Sequence, residues 1–264
     1  MIDRHIRVCS KVRLCDAKSE KFELSHFETV PKSAIETTSL MNSVGPANLK
    51  TIFEDDCILA VMKPAGLKVH GQEGEPTLET LVEESQGRRL VLMHRLDRDT
   101  TGIVLFAKRR DVAGALSRAF EQKKIRKTYW AVVEGLWPKR VNKIESYLER
   151  DPNDPRKQRM RVDEAPGARR ALTTFRVLGT CPEKTWLEVM PKTGRTHQIR
   201  VHCASQGHPV LGDRLYGQTL GAQSGLALHA YRLMFRHPLT AVEMDLVAEP
   251  PENWERDWLL GFER

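Results

Sequence analysis

The feature that most constrains this chain is a pair of short apolar runs set in polar surroundings, Ile58-Leu59-Ala60-Val61-Met62 and Gly102-Ile103-Val104-Leu105-Phe106-Ala107. Runs of this length, bounded by charges and turn residues, read as buried strands. The first leaves the core into the turn Lys63-Pro64-Ala65-Gly66. The second follows a dense polar segment, His94-Arg95-Leu96-Asp97-Arg98-Asp99-Thr100-Thr101-Gly102, which places Asp97 in a loop feeding a buried strand. Another strand is expected over residues 128–135, rich in aromatic and β-branched residues, where alternation puts Tyr129, Ala131 and Val133 on one face. Two more, over 171–178 and 186–190, are joined through Gly179 to Lys184.

Helical signals are few. Asp111 suits an N-cap, with Val112, Leu116, Ala119 and Phe120 following at spacings of three or four, so a helix should run to Gln122 and end in the basic cluster 123–127. A second helix is expected from Thr196 as N-cap through Ser205, closed by Gly207 and Pro209, directly after the turn Pro191-Lys192-Thr193-Gly194-Arg195. Residues 1–48 are polar, weakly patterned and end in the turn-rich 42–48, so they read as an extension or linker before a main domain over 49–264.

At 264 residues and 40% hydrophobic, the chain can bury a full core as one large domain or two joined lobes. No apolar run approaches the roughly 20 residues of a membrane span, and the first thirty lack a signal-peptide core. Cys9, Cys15, Cys57, Cys181 and Cys203 are scattered and never form C-x-x-C, which argues against a disulfide framework or a cysteine zinc site. A reducing, cytoplasmic setting is the expectation, with an organelle left open by the basic start. The 42 Lys and Arg outnumber 35 Asp and Glu, giving +7 and an attraction for polyanions such as nucleic acid.

Asp97 lies between Arg95 and Arg98 and Asp99 directly follows Arg98, and a carboxylate beside guanidinium groups stays ionised and can act as base or nucleophile. The plainer alternative is a salt-bridged loop. Arg195 falls near a helix start, where a cation is unfavourable and wants a carboxylate partner. His197, His202, His208 and Cys203 do not line up as metal ligands on one helix face, so no metal is expected. The basic 123–127 and 156–161, with Arg169 and Arg170, could track phosphates or serve as solvated faces.

The segment 94–102 resembles the H-R-L-D-x-x-T-[ST]-G signature of the RluA-type RNA pseudouridine synthases, with Thr101 in place of the commoner serine. Three further blocks match in order: Lys63-Pro64-Ala65-Gly66-Leu67-Lys68-Val69-His70, then residues 127–135, then Thr193-Gly194-Arg195-Thr196-His197-Gln198-Ile199-Arg200-Val201-His202. With the trailing 207–213 and Tyr216-Gly217, the likeness spans about residues 50 to 240.

That resemblance implies an α/β (α+β) fold: a mixed, largely antiparallel central sheet with flanking helices, two-lobed around a cleft. It implies isomerisation of uridine to pseudouridine in rRNA or tRNA by a monomer that needs no cofactor. Asp97 maps to the nucleophile, Tyr129 to the tyrosine that stacks on uracil near the proton lost late in the reaction, and Arg195 to an arginine pairing with Asp97. Arg95 is expected to replace a flipped base or to touch a phosphate. His94, Thr100, Lys123 and Lys127 complete the expected RNA contacts, while Ile199 and Val201 line the pocket or the core behind it. Two rivals are a non-catalytic RNA-folding factor and a glycosidic hydrolase using Asp97 and Asp99 as a pair.

Overall fold

The structure is a computed structural model and describes residues 49–72, 74–217 and 225–252, together with Trp254, 258–259 and 261–262. The extension expected at 1–48 lies outside the described residues. Ile58–Lys63 (β2) and Thr101–Ala107 (β4) are the two buried strands anticipated above, paired antiparallel from Ile58 opposite Ala107 to Lys63 opposite Gly102. Both carry unbroken apolar runs because a helix covers each face. Ile58, Ala60, Ile103 and Leu105 pack under Val112, Ala113 and Leu116 of Arg110–Glu121 (α2). Leu59, Val61, Val104 and Phe106 pack against Leu78 and Val82 of Leu78–Gln86 (α1). Sequence alternation did not reveal α1, whose start is a capping box between Thr77 and Thr80 and whose end is Gly87 in the left-handed region.

The remaining strands are Thr51–Glu54 (β1), Val91–Leu92 (β3), Arg126–Glu134 (β5), Lys143–Arg150 (β6), Gln158–Arg161 (β7), Arg169–Cys181 (β8), Lys184–Pro191 (β9), Leu228–Arg236 (β10) and Glu243–Val247 (β11). One sheet runs β1-β2-β4-β10-β5-β9-β8-β6-β7, with β3 on β4 and β11 on β10. Every pairing among these is antiparallel except β4 with β10. The fold is therefore the mixed, largely antiparallel α/β type expected. A second core, built on Ala131, Val132, Val133, Leu187, Val189 and Phe175, lies beyond the β4–β10 seam. Ala131, Val132 and Val133 are all fully buried, so the one-face alternation expected for β5 gives way to burial on both sides.

The seam is close-packed. A β-carbon added to Gly102 would lie 2.3 Å from the Ala230 carbonyl oxygen, and Gly102 also holds φ +118, so only glycine fits there. Beside it, the Thr101 hydroxyl lies 2.7 Å from His229 Nδ1, and His229 Nε2 lies 2.9 Å from the Ala248 carbonyl. That carbonyl can only accept, so Nε2 carries the proton and Thr101 donates to Nδ1. Threonine thus supplies the hydroxyl this seam uses.

Two helix starts differ from expectation. Arg109, not Asp111, is the N-cap residue of α2, and it makes no side-chain cap bond. Asp111 instead sits in the first turn and pairs with the Arg109 guanidinium at 2.6 Å. The later helix is Gln198–Ser205 (α3), and His197, not Thr196, is its N-cap residue, in the left-handed region with φ 54. The buried Gln198 is the reason. Its Oε1 accepts from the Thr193 hydroxyl and the Arg195 amide, and its Nε2 donates to the Leu172 carbonyl and Thr173 Oγ1 of β8, tightening the turn before the helix. No helix among the described residues is long and apolar enough to cross a membrane.

Candidate active site

Pairing across the seam sets Thr101, His229, Trp130 and Glu188 in one row over four neighbouring strands. The loop leading into Thr101 therefore stands close to Tyr129, which lies beside Trp130 and, by the alternation of a strand, on the opposite face. A cleft of about 460 Å³ opens there, lined by Asp97 and Thr100 of the loop, Lys123 after α2, Lys127 and Tyr129 of β5, Leu228 of β10, and residues 191–200. A second cavity of about 410 Å³ lies against the first and shares Arg95, Leu96, Asp97, Thr196, His197 and Arg200 with it.

A buried lysine holds the Asp97 loop. Lys63 is fully buried, and its Nζ donates to the carbonyls of Pro64, Leu67 and Arg98 at 2.7, 2.8 and 2.7 Å. Burial pulls its pKa from 10.5 to about 7, against the attraction of Asp99 and Asp97. Three carbonyl acceptors match the three ammonium protons, so the end of β2 is stitched to the loop. Thr100 N donates to the Asp97 carbonyl at 3.1 Å, closing the turn.

The guanidinium facing Asp97 belongs to Arg200, not to Arg195. Arg200 Nη1 lies 3.4 Å from Asp97 Oδ2, while Arg200 Nε and Nη2 grip both oxygens of Asp213 at 2.7 Å. The Asp213 side chain is wholly buried and also accepts from the Leu215 and Tyr216 amides. Burial raises its pKa, but the Arg200 pair outweighs this and keeps the carboxyl below its ordinary range. Asp213 thus orients Arg200, and Arg200 reaches Asp97. Arg195 turns the other way, its Nε donating to the Arg170 carbonyl at 3.0 Å. The physical cause is the turn locked by Gln198, which holds the Arg195 backbone against β8 while α3 carries Arg200 into the cleft.

The other expected residues sort by what they touch. Tyr129 lines the cleft as a neutral phenol, because burial and then the Asp97 charge push its pKa up. The Thr100 Oγ1 is buried without a hydrogen-bond partner among the described residues. Ile199 is buried and gives the cleft part of its apolar wall, whereas Val201 packs with Leu148 and Ala171 in a small core. Arg95 is exposed where the two cavities meet. Lys123 is exposed, and Lys127 is held mostly within the wall, where burial lowers its pKa. His94 is engaged internally: its Nε2 accepts from the Leu105 amide, and burial and then Lys127 pull its pKa to about 3.

The Arg-rich 156–161 is largely neutralised at short range, Arg156 by Asp154 and Arg159 and Arg161 by Glu149, while Arg170 pairs with Glu145. That makes it a solvated, self-paired face. Asp99 pairs with its neighbour Arg98 at 3.1 Å rather than with a residue of the first cleft. Sequence reasoning missed Arg200, Asp213, Gln198 and Tyr216 as site residues. All four sit in motif blocks, but nothing local marks Arg200 rather than Arg195 as the arginine facing Asp97, or a buried carboxylate as its partner.

Among the described residues, one His/Cys/Asp group could surround an ion: Asp55, Cys57 and His237, with ligand atoms within 4.8 Å of one another. Its hydrogen bonds oppose that use. His237 Nδ1 accepts from the Thr240 and Leu239 amides, so the proton sits on Nε2, 3.0 Å from Asp55 Oδ2, and no lone pair is free there. Of the histidines weighed as ligands, His202 is engaged by Ser146 and Thr173, and His208 by the Glu134 carbonyl.

Residues 58–205 match the model of a family described as RNA pseudouridylate synthase. The chain is 36% identical over 228 residues to the ribosomal large subunit pseudouridine synthase C of Haemophilus ducreyi, covering 83% of this chain and 71% of that protein. It is likewise 36% identical over 227 residues to the uncharacterized RNA pseudouridine synthase YhcT of Bacillus subtilis, covering 82% and 72%. In fold it resembles the solved human RNA Pseudouridylate Synthase Domain Containing 4, with a TM-score of 0.68 at 24% identity over 81% of this chain and 94% of that one.

Proposed function

Because this chain belongs to the RNA pseudouridylate synthase family and is an RNA isomerase converting uridine to pseudouridine, we propose that Asp97 is its nucleophile and that its target lies in large-subunit ribosomal RNA. The observation that carries the first part is the convergence of Arg200 on an Asp97 carboxylate at the mouth of a cleft walled by Tyr129. The name of the Haemophilus ducreyi relative supports the second.

The reaction breaks the N1–C1′ bond, turns the uracil and rejoins it through C5, with no change of oxidation state. The nucleotide must leave its stack to reach Asp97, at a cost of a few kcal/mol. The exposure of Arg95 between the two cavities supports its filling the gap in the helix or holding a phosphate. Asp97 attacks as the carboxylate, oriented by Arg200. Tyr129 stacks on the base. As a neutral phenol it can relay the C5 proton only by releasing its own hydroxyl proton as it accepts, the balance ending as the proton on N1 of the product base. Thr100 supplies a hydroxyl at the loop end, Ile199 a flat apolar wall, and Lys123 and Lys127 positive charge toward the RNA backbone.

Pseudouridine mapping of ribosomal and transfer RNA, from cells with and without the protein and after treatment of each RNA with the purified enzyme, tests the substrate. A site in large-subunit rRNA should disappear in its absence and return with enzyme; dependence confined to tRNA would refute the assignment. Asp99→Asn should retain isomerisation, whereas a loss equal to that of Asp97→Asn would favour paired-carboxylate hydrolysis.

A further inference from the structure

His197 has no part in the reaction as described so far, yet its placement is costly and specific. A left-handed backbone costs a residue with a β-carbon on the order of 1 kcal/mol, and His197 adopts it with φ 54. Its side chain is 14% exposed and lines both cavities beside Asp97.

The hydrogen bonds around it favour one position for its proton. The Gln158 amide of β7 donates to Tyr216 Oη at 2.7 Å, and His197 Nδ1 lies 2.9 Å from the same oxygen. An amide only donates, so the Tyr216 hydroxyl has its own proton left to give, and Nδ1 is the acceptor within reach. The ring is then neutral with its proton on Nε2. That atom faces Asp97 Oδ2 at 3.9 Å, the same oxygen that Arg200 Nη1 approaches at 3.4 Å. Asp97 Oδ1 has no hydrogen-bond partner among the described residues. The charged and titratable groups facing the ring are Asp97 of the loop, Arg200 of α3, and Asp213 and Tyr216 of the segment after α3. Burial and the Arg200 charge lower its pKa by more than Asp97 and Asp213 raise it.

We propose that His197 is a positioning residue whose Nε2 proton, fixed by Tyr216, closes on Asp97 Oδ2 when RNA fills the cleft and, with Arg200, leaves Oδ1 as the reacting oxygen. The inference rests on Asp97 being the nucleophile. A separation of 3.9 Å between a proton donor and a catalytic carboxylate is of the kind that tightens on substrate binding.

The experiment has separable arms. Asp97→Asn tests the underlying reading by itself, and an active Asp97→Asn enzyme would remove it whatever His197 does. With Asp97 intact, His197→Gln and His197→Leu impose comparable backbone strain, but only glutamine donates a hydrogen bond. His197→Leu should lower kcat by about 10- to 100-fold, the worth of a hydrogen bond to a charged group, with KM and melting temperature little changed. His197→Gln should recover most of that loss and keep the wild-type pH profile.

Nitrogen-15 spectra of histidine-labelled protein report the tautomer directly, with the His197 signals identified by their loss in His197→Gln. The wild type should show a neutral ring protonated on Nε2 at neutral pH, and Tyr216→Phe should release that fixed tautomer. Equal losses in the two His197 variants, a limb of the pH profile that vanishes in His197→Gln, or a proton resident on Nδ1 would each overturn the proposal. Should His197→Leu fail to fold, the wild-type spectrum still decides.

Discussion

Arg195 and Arg200 stand five residues apart in one motif block, and only Arg200 reaches Asp97. Arg200→Lys keeps a charge but loses the planar fork that holds Asp213 and Asp97 together, so kcat should fall by about 100-fold, the scale of losing one preorganised electrostatic contact. Arg195→Ala should stay within about threefold, since the charge it removes lies outside the Asp97 contact and only a carbonyl bond is lost. Single-turnover rates on an RNA substrate check both, and the reverse ranking would restore Arg195 to the site. That Asp97 and Tyr129 meet in one cleft was legible in the sequence because their motif blocks are distinctive. The choice between two arginines was not, because it depends on the turn locked by Gln198 and on the left-handed His197, neither of which leaves a periodic or compositional trace.

Among the elements, β2 and β4 were the most legible, since strands covered on both faces carry unbroken apolar runs. The polar, glutamate-rich α1 and the parallel partner of β4 were not, the first because its buried face is only Leu78, Leu81 and Val82, the second because β10 is remote in sequence. The β4–β10 seam is nonetheless what positions the Asp97 loop. Gly102→Ala would drive a β-carbon into the Ala230 backbone and should cost about 3 kcal/mol, read as a lowered denaturation midpoint. Tolerance of alanine there would mean that the two strands are not so close. At the other end of the loop, Lys63→Met leaves the Pro64, Leu67 and Arg98 carbonyls without their donor, at about 3 kcal/mol. Its kcat should also drop as the loop relaxes, while a stable and fully active variant would contradict the stitching role.

For the molecule as a whole, the fully buried His202 and His229 and the part-buried His94 tie stability to pH. Burial pulls the pKa of His94 to about 3 and those of His202 and His229 to about 4. The unfolded chain binds these protons near pH 6.5 and the native state only well below it, so their contribution is intact above about 6.5 and lost as pH falls toward 4. Unfolding free energy should therefore decline through that window with a slope approaching three protons, and His229→Gln should make the slope shallower; a flat profile would show that these rings are charged in the native state. On the same scale, one continuous sheet supports both cores and brings segments from four parts of the chain around Asp97. That arrangement is tested most directly by the single-turnover rate of pseudouridine formation by Asp97→Asn, measured with RNA binding and melting temperature alongside. Asp97→Asn should fold and bind RNA as wild type does yet form no pseudouridine, whereas isomerisation near the wild-type rate would show that Asp97 is not the nucleophile.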